Sequence, residues 1–133
     1  MKRIFADTSF YIAATSPKDE AHGTAAKWML GHADMVVTTD FVVVELANFF
    51  SRSTERGTFA ALHHYLAADS QVEIVPASRE LVERGLQLYL NRDDKDWSLT
   101  DCISFVVMQD HGITEALTAD WHFEQAGFAP LLV

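Results

Sequence analysis

Cysteine is almost missing from this chain: Cys102 stands alone among 133 residues. A single thiol makes no internal disulfide and no cysteine zinc site. Set inside an apolar helical pattern, it reads as a buried thiol rather than a nucleophile. Long apolar runs are missing too. None approaches the ~20 residues of a membrane helix, and the stretch after Met1-Lys2-Arg3 is too short for a secretory leader. The expectation is a soluble, cytoplasmic protein with no membrane partner. Positive charge is scarce, with 10 Lys and Arg against 19 Asp and Glu, a formal charge of −9. That excludes a protein that coats nucleic acid through a broad basic surface. It leaves nucleic acid open as a substrate, because clustered carboxylates holding divalent cations cancel negative charge where phosphate must enter. The same acidic surface suits a basic partner segment.

Apolar residues are plentiful, at 49% of the chain. That is enough for a core and excludes general disorder. Length and the absence of repeats predict one domain over residues 1–133. Short β-branched or apolar runs predict strands at 4–6, 35–38, 72–75 and 115–118, with a short final edge strand at 129–133. Helical spacing predicts helices at 10–15, 21–32, 40–53, 58–68, 78–90, 98–111 and briefly before Gly127. Thr39 or Asp40, Ser78 and Ser98 are the expected N-caps, and Gly112 closes the helix that Ser98 opens. Strands alternating with helices predict an α/β fold: a three-layer α/β/α sandwich around a mostly parallel sheet of about five strands. The segments 40–69 and 78–111 hold two helices each. Only one helix of each pair can be a simple crossover, and the pattern does not say which.

Four acids fall where plain packing does not want them. Asp7 ends the apolar run Ile4-Phe5-Ala6, and Asp120 ends Ala116-Leu117-Thr118-Ala119 in the same way. Either could cap the following helix. Asp101 has a capping alternative as well, since Ser98-Leu99-Thr100-Asp101 approximates a capping box with Asp in place of Glu. Glu45 has the least comfortable alternative. Its helical neighbours are Phe41, Val42, Asn48 and Phe49, so it lies within an apolar stripe. A carboxylate there needs a partner or a metal. In open α/β sheets, ligands bind beyond the carboxyl ends of the strands, and all four acids belong to that rim. Carboxylate oxygens without His or Cys suit Mg²⁺, with Mn²⁺ as a substitute. Such a site suits phosphodiester hydrolysis.

These residues carry a resemblance. Asp7-Thr8-Ser9 after a short strand, Glu45 in Val-Val-Glu-Leu-Ala-Asn, Trp97-Ser98-Leu99-Thr100-Asp101-Cys102 and Leu117-Thr118-Ala119-Asp120-Trp121-His122-Phe123 resemble the motifs of a PIN domain, closest to the VapC-like ribonucleases of toxin–antitoxin pairs. The resemblance spans the whole chain. It implies a five-stranded parallel α/β sandwich, Mg²⁺-dependent cleavage of RNA, and a homodimer inhibited by a cognate antitoxin. It places the acidic metal-binding quartet on Asp7, Glu45, Asp101 and Asp120, and the polar helper beside the first acid on Thr8 or Ser9. Some members carry a further acid two residues after the fourth; here that place holds His122.

Other residues carry less. His122 by itself reads as a helix-surface histidine, and His63 and His64 have no assigned role. Trp97 and Trp121 flank the rim, where packing competes with stacking on a base. No Lys or Arg falls within the motifs, leaving Arg79 and Arg92 as distant candidates. Two competing functions remain. An aspartate-dependent phosphatase would use Asp7 as nucleophile, but usually carries a second Asp where this chain has Ser9. A non-catalytic α/β binding module tolerates the acids as caps but explains Glu45 poorly. Surplus large apolar residues around Phe49, Phe50, Phe59 and Tyr65 point, with the resemblance, to a homodimer.

Overall fold

The computed structural model describes residues 2–133. Five strands form one sheet: β1 (Arg3–Ala6), β2 (Met35–Thr39), β3 (Val72–Val75), β4 (Glu115–Leu117) and β5 (Ala129–Pro130). Their order is β3-β2-β1-β4-β5, and every neighbouring pair is parallel. Seven helices complete the α/β/α layering: α1 (Thr8–Thr15), α2 (His22–Leu30), α3 (Asp40–Phe49), α4 (Arg56–Ala68), α5 (Arg79–Asn91), α6 (Leu99–Asp110) and α7 (His122–Gln125). The expected "mostly parallel, about five strands" is therefore a fully parallel five-stranded sheet, which needs apolar cover on both faces. Among the described residues, no helix is long and apolar enough to cross a membrane.

The order of strands fixes the cover. From β1 the chain steps to β2 and β3 on one side, then jumps back past β1 to β4 and β5. Right-handed crossovers in opposite directions put their helices on opposite faces. The packing agrees: α1 lies on α2 and α3, and α3 on α4, whereas α5 lies on α6 and α6 on α7. Of the two helices between β3 and β4, α6 is the central one, buried continuously from Asp101 to Met108. The outer helix α5 buries only Leu81 and Gly85. Gly85 is what lets the two approach, since a Cβ there would stand 2.4 Å from Ile103 Cγ1. The β1–β2 connection also holds two helices, α1 and α2.

Helix ends follow their caps. The Thr39 hydroxyl accepts from Val42 N, and the Ser78 hydroxyl from Leu81 N. Asp40 does a different job: its carboxylate accepts from Ala77 N at 2.8 Å and ties the end of β3 to the start of α3. Ser98 and Asp101 form the full capping box, and Gly112 ends α6 at φ +64°. The third helix stops at Phe49 rather than near residue 53: Phe50, at φ −94° and ψ 28°, leaves the helical backbone while its amide still bonds to Leu46 O. The surplus of apolar residues around Phe49 is smaller than expected. Phe50 is buried in the core, Phe59 and Tyr65 pack against it, and Phe49 alone of the four is exposed.

Candidate metal-dependent active site

The chain reverses its direction of travel across the sheet between β1 and β4. At such a switch point the two connections leave towards opposite faces and open a crevice at the carboxyl ends of the strands. Ala6 pairs with Leu117, and Asp7 N donates to Leu117 O, so Asp7 and Thr118 emerge side by side. Asp7 is only 4% exposed. It makes no side-chain cap on α1, which removes the capping explanation for it. Its Oδ2 instead accepts from the Ser9 hydroxyl at 3.1 Å and the Thr118 hydroxyl at 3.0 Å. Thr118 Oγ1 also accepts from Asp120 N at 2.9 Å, and Ser9 Oγ from Ala119 N. Two hydroxyls thus tie the ends of β1 and β4 together.

The other acids arrive from other elements. Glu45 comes from the second turn of α3, half-buried, and its Oε1 accepts a 2.5 Å hydrogen bond from the Thr8 hydroxyl. Asp101 comes from the first turn of α6 and is 8% exposed. Both of its explanations hold at once: Oδ2 accepts from Ser98 N in the capping box, and the same carboxylate faces the crevice. Asp120, after β4, accepts from His122 N. Asp7, Thr8, Ser9, Glu45, Asp101 and Asp120 all line one open cleft of about 330 Å³, together with Ile12, Asp96, Ser98 and His122. Every residue proposed from sequence for the site is in it.

Negative charge accumulates there with no Lys or Arg to offset it. Burial, then the neighbouring Asp101 carboxylate, push the Asp7 carboxyl up to about 7, against the pull of its hydrogen bonds from Thr118, Thr8 N and Ser9. Burial and the Asp120 charge raise Asp101 as well. No Lys or Arg lines the cleft. Arg92 is taken up by Asp94 and lies over the Trp97 ring, and Arg79 faces Glu83. A divalent cation is the counter-charge such a cluster lacks.

Three residues matter more than their local sequence suggested. Asp96, in the charged loop before α6, adds a fifth carboxylate to the lining. Thr118 is wholly buried between two acids, a role that exists only because β1 and β4 are neighbours. His122 is not on the helix surface: its side chain is 21% exposed, with Nδ1 3.3 Å from Asp101 Oδ2 and 3.2 Å from Asp120 Oδ1. That nitrogen is buried yet lies on the hydrogen-bonding line of neither carboxylate. One ligand atom from each of Asp101, Asp120 and His122 falls within 4.8 Å of the others, which is how donors stand around an ion. The two tryptophans divide. Trp97 is a packing residue, buried against Phe105 with its indole N–H on Gln125, whereas Trp121 is 62% exposed.

Known proteins match this chain along most of its length. Residues 4–129 match the PIN domain family. The 23S rRNA-specific endonuclease VapC20 of Mycobacterium tuberculosis is 33% identical over 126 residues, covering 94% of this chain and 95% of that protein. The crystal structure of M. tuberculosis VapC20, described as a Sarcin-Ricin loop cleaving toxin, superposes with a TM-score of 0.87 at 28% identity, covering 96% of this chain and 98% of that one. VapBC2 from Rickettsia felis, crystallised on a DNA fragment from its promoter, shares the fold alone: TM-score 0.68 at 14% identity, with 96% of each chain covered. With its acids gathered at the switch point of a parallel sheet and its family match running from β1 to β5, the chain belongs to the PIN-domain family, among the VapC-like ribonucleases.

Proposed function

We propose that this protein is a divalent-metal-dependent endoribonuclease, the toxin of a toxin–antitoxin pair, acting in the cytoplasm. The observation that carries the reading is the convergence of four acids from four separate elements on one cleft that no Lys or Arg lines. Asp7, Glu45, Asp101 and Asp120 are the residues that would hold a divalent cation, Mg²⁺ or Mn²⁺. When bound, the cation lowers the pKa of water for attack on phosphorus and offsets charge in the transition state. Thr8 holds the Glu45 carboxylate through its short hydrogen bond, and Ser9 and Thr118 hold Asp7, fixing ligand orientation from behind. The buried floor at Asp7 and Asp101 limits water to the open side of the cleft.

The identity to VapC20 makes 23S rRNA the first substrate to try. A cognate antitoxin with a basic segment suits the −9 charge. A homodimer is supported by Val44 and Phe49, both exposed on α3. The phosphatase and binding-module readings are not favoured. Ser9 stands where the phosphatase needs its second acid, and Asp7 serves as no cap. The deciding experiment incubates the purified protein with ribosomes and Mg²⁺ or Mn²⁺, beside Asp7→Asn and Asp101→Asn. Cleavage by wild type and none by the folded variants is expected. Full activity in either variant would end the assignment.

A further inference from the structure

His122 stands two residues beyond Asp120 and lines the acidic cleft with it. We propose that His122 Nδ1 is itself a metal ligand, making this a mixed nitrogen and oxygen site that prefers Mn²⁺ to Mg²⁺. This rests on the metal-dependent reading above and assigns the cation within it.

The placement of the ring supports it. Phe123, next in the chain, is fully buried against Phe5 and Phe105 and anchors the first turn of α7. His122 N closes onto Asp120 Oδ1 at 2.9 Å, fixing the backbone between the two side chains. The ring lies beside that of Trp121, tilted 43° to it with the centroids 5.2 Å apart. So held, Nδ1 meets Asp101 Oδ2 and Asp120 Oδ1 at 3.3 and 3.2 Å. Two donors at adjacent corners of an octahedral ion with bonds of ~2.1 Å stand ~3.0 Å apart. The observed separations are close to that spacing.

The competing arrangement is an ion pair, with a protonated imidazole neutralising the acids. An N–H between two carboxylates should lie along a line to one of them, and charge assistance would shorten that bond to about 2.8 Å. Neither condition is met: both separations exceed 3 Å, and no hydrogen bond forms from the buried Nδ1. A nitrogen facing two oxygens off the hydrogen-bonding line is arranged as a third donor to a shared centre.

Ligand type then sets preference. Imidazole is a poor match for Mg²⁺, which favours oxygen donors and gives up water reluctantly. Mn²⁺ accepts oxygen and nitrogen together and stands low enough in the affinity order to exchange. An imidazole, unlike a carboxylate, adds no negative charge to the purely electrostatic hold on Mg²⁺.

The test uses the full chain with Mn²⁺ alone. Pulsed EPR of the bound ion should show coupling to one imidazole ¹⁴N, absent in His122→Asp. Competition titration should show a Mn²⁺ preference over Mg²⁺ that falls at least tenfold in His122→Asp, while that variant still binds metal. Mn²⁺ bound tightly in wild type, lost in Asp101→Asn, but without ¹⁴N coupling would overturn the proposal and leave the metal-dependent reading standing. No saturable Mn²⁺ binding, with Asp101→Asn no different from wild type, would overturn both.

Discussion

Asp7 and Glu45 are both acids in the cleft, yet the chain holds them differently, and their substitutions should separate. Asp7 is buried and its carboxyl is raised to about 7. The unfolded chain gives up this proton near pH 4. Between those values the folded state binds more protons than the unfolded state, so stability falls as pH rises. In the presence of chelator, wild type should lose up to about 4 kcal/mol between pH 4 and pH 8 through this group. Asp7→Asn should flatten that slope, which denaturant melts across pH would show. Glu45 is half-buried, accepts from Thr8, and pairs with no basic side chain among the described residues. Glu45→Gln keeps that hydrogen bond and removes one like charge. Its metal-free melting temperature should hold or rise, while cleavage by the folded protein should drop roughly 10²–10³-fold. A melt far below wild type with normal cleavage would make Glu45 structural.

At the scale of elements, the α5–α6 contact is the tightest test of the packing. A methyl at position 85 would meet Ile103 Cγ1 at 2.4 Å and its backbone at 3.3 Å. Helix propensity favours Ala over Gly by about 1 kcal/mol, but overpacking costs about 1–3. Gly85→Ala should therefore be net destabilising, by up to about 2 kcal/mol. Combined with Ile103→Ala it should be markedly less costly than alone, a coupling that a double-mutant cycle in urea would measure. This contact also marks where sequence reading stopped. Ser78, Ser98 and Gly112 announced the ends of α5 and α6, because caps are local chemistry. Asp7 and Asp120 announced themselves by ending apolar strands, and Glu45 by sitting in an apolar stripe. The pattern could not say that α6 is central and α5 outer. It could not give Thr118 its place between Asp7 and Asp120, nor bring Asp96 and His122 to the cleft. Those depend on β1 lying beside β4, a neighbourhood between distant residues that no local period encodes.

For the whole molecule, exposed apolar side chains at Val44 and Phe49 on α3, and at Tyr89 and Leu90 on α5, are among those left over after the core is complete. Light scattering at micromolar concentration should give twice the mass of one chain, and a single-chain mass would count against the dimer. The pairing of β1 with β4 has one more consequence, in the order of synthesis. A ribosome that has delivered the first hundred residues has made Asp7 and Glu45 but neither Asp101 nor Asp120. Nascent chains, and fragments cut short before α6, therefore carry half a site. On the ribonuclease reading, the chain should cut no RNA until the last quarter of its domain has emerged and closed the sheet.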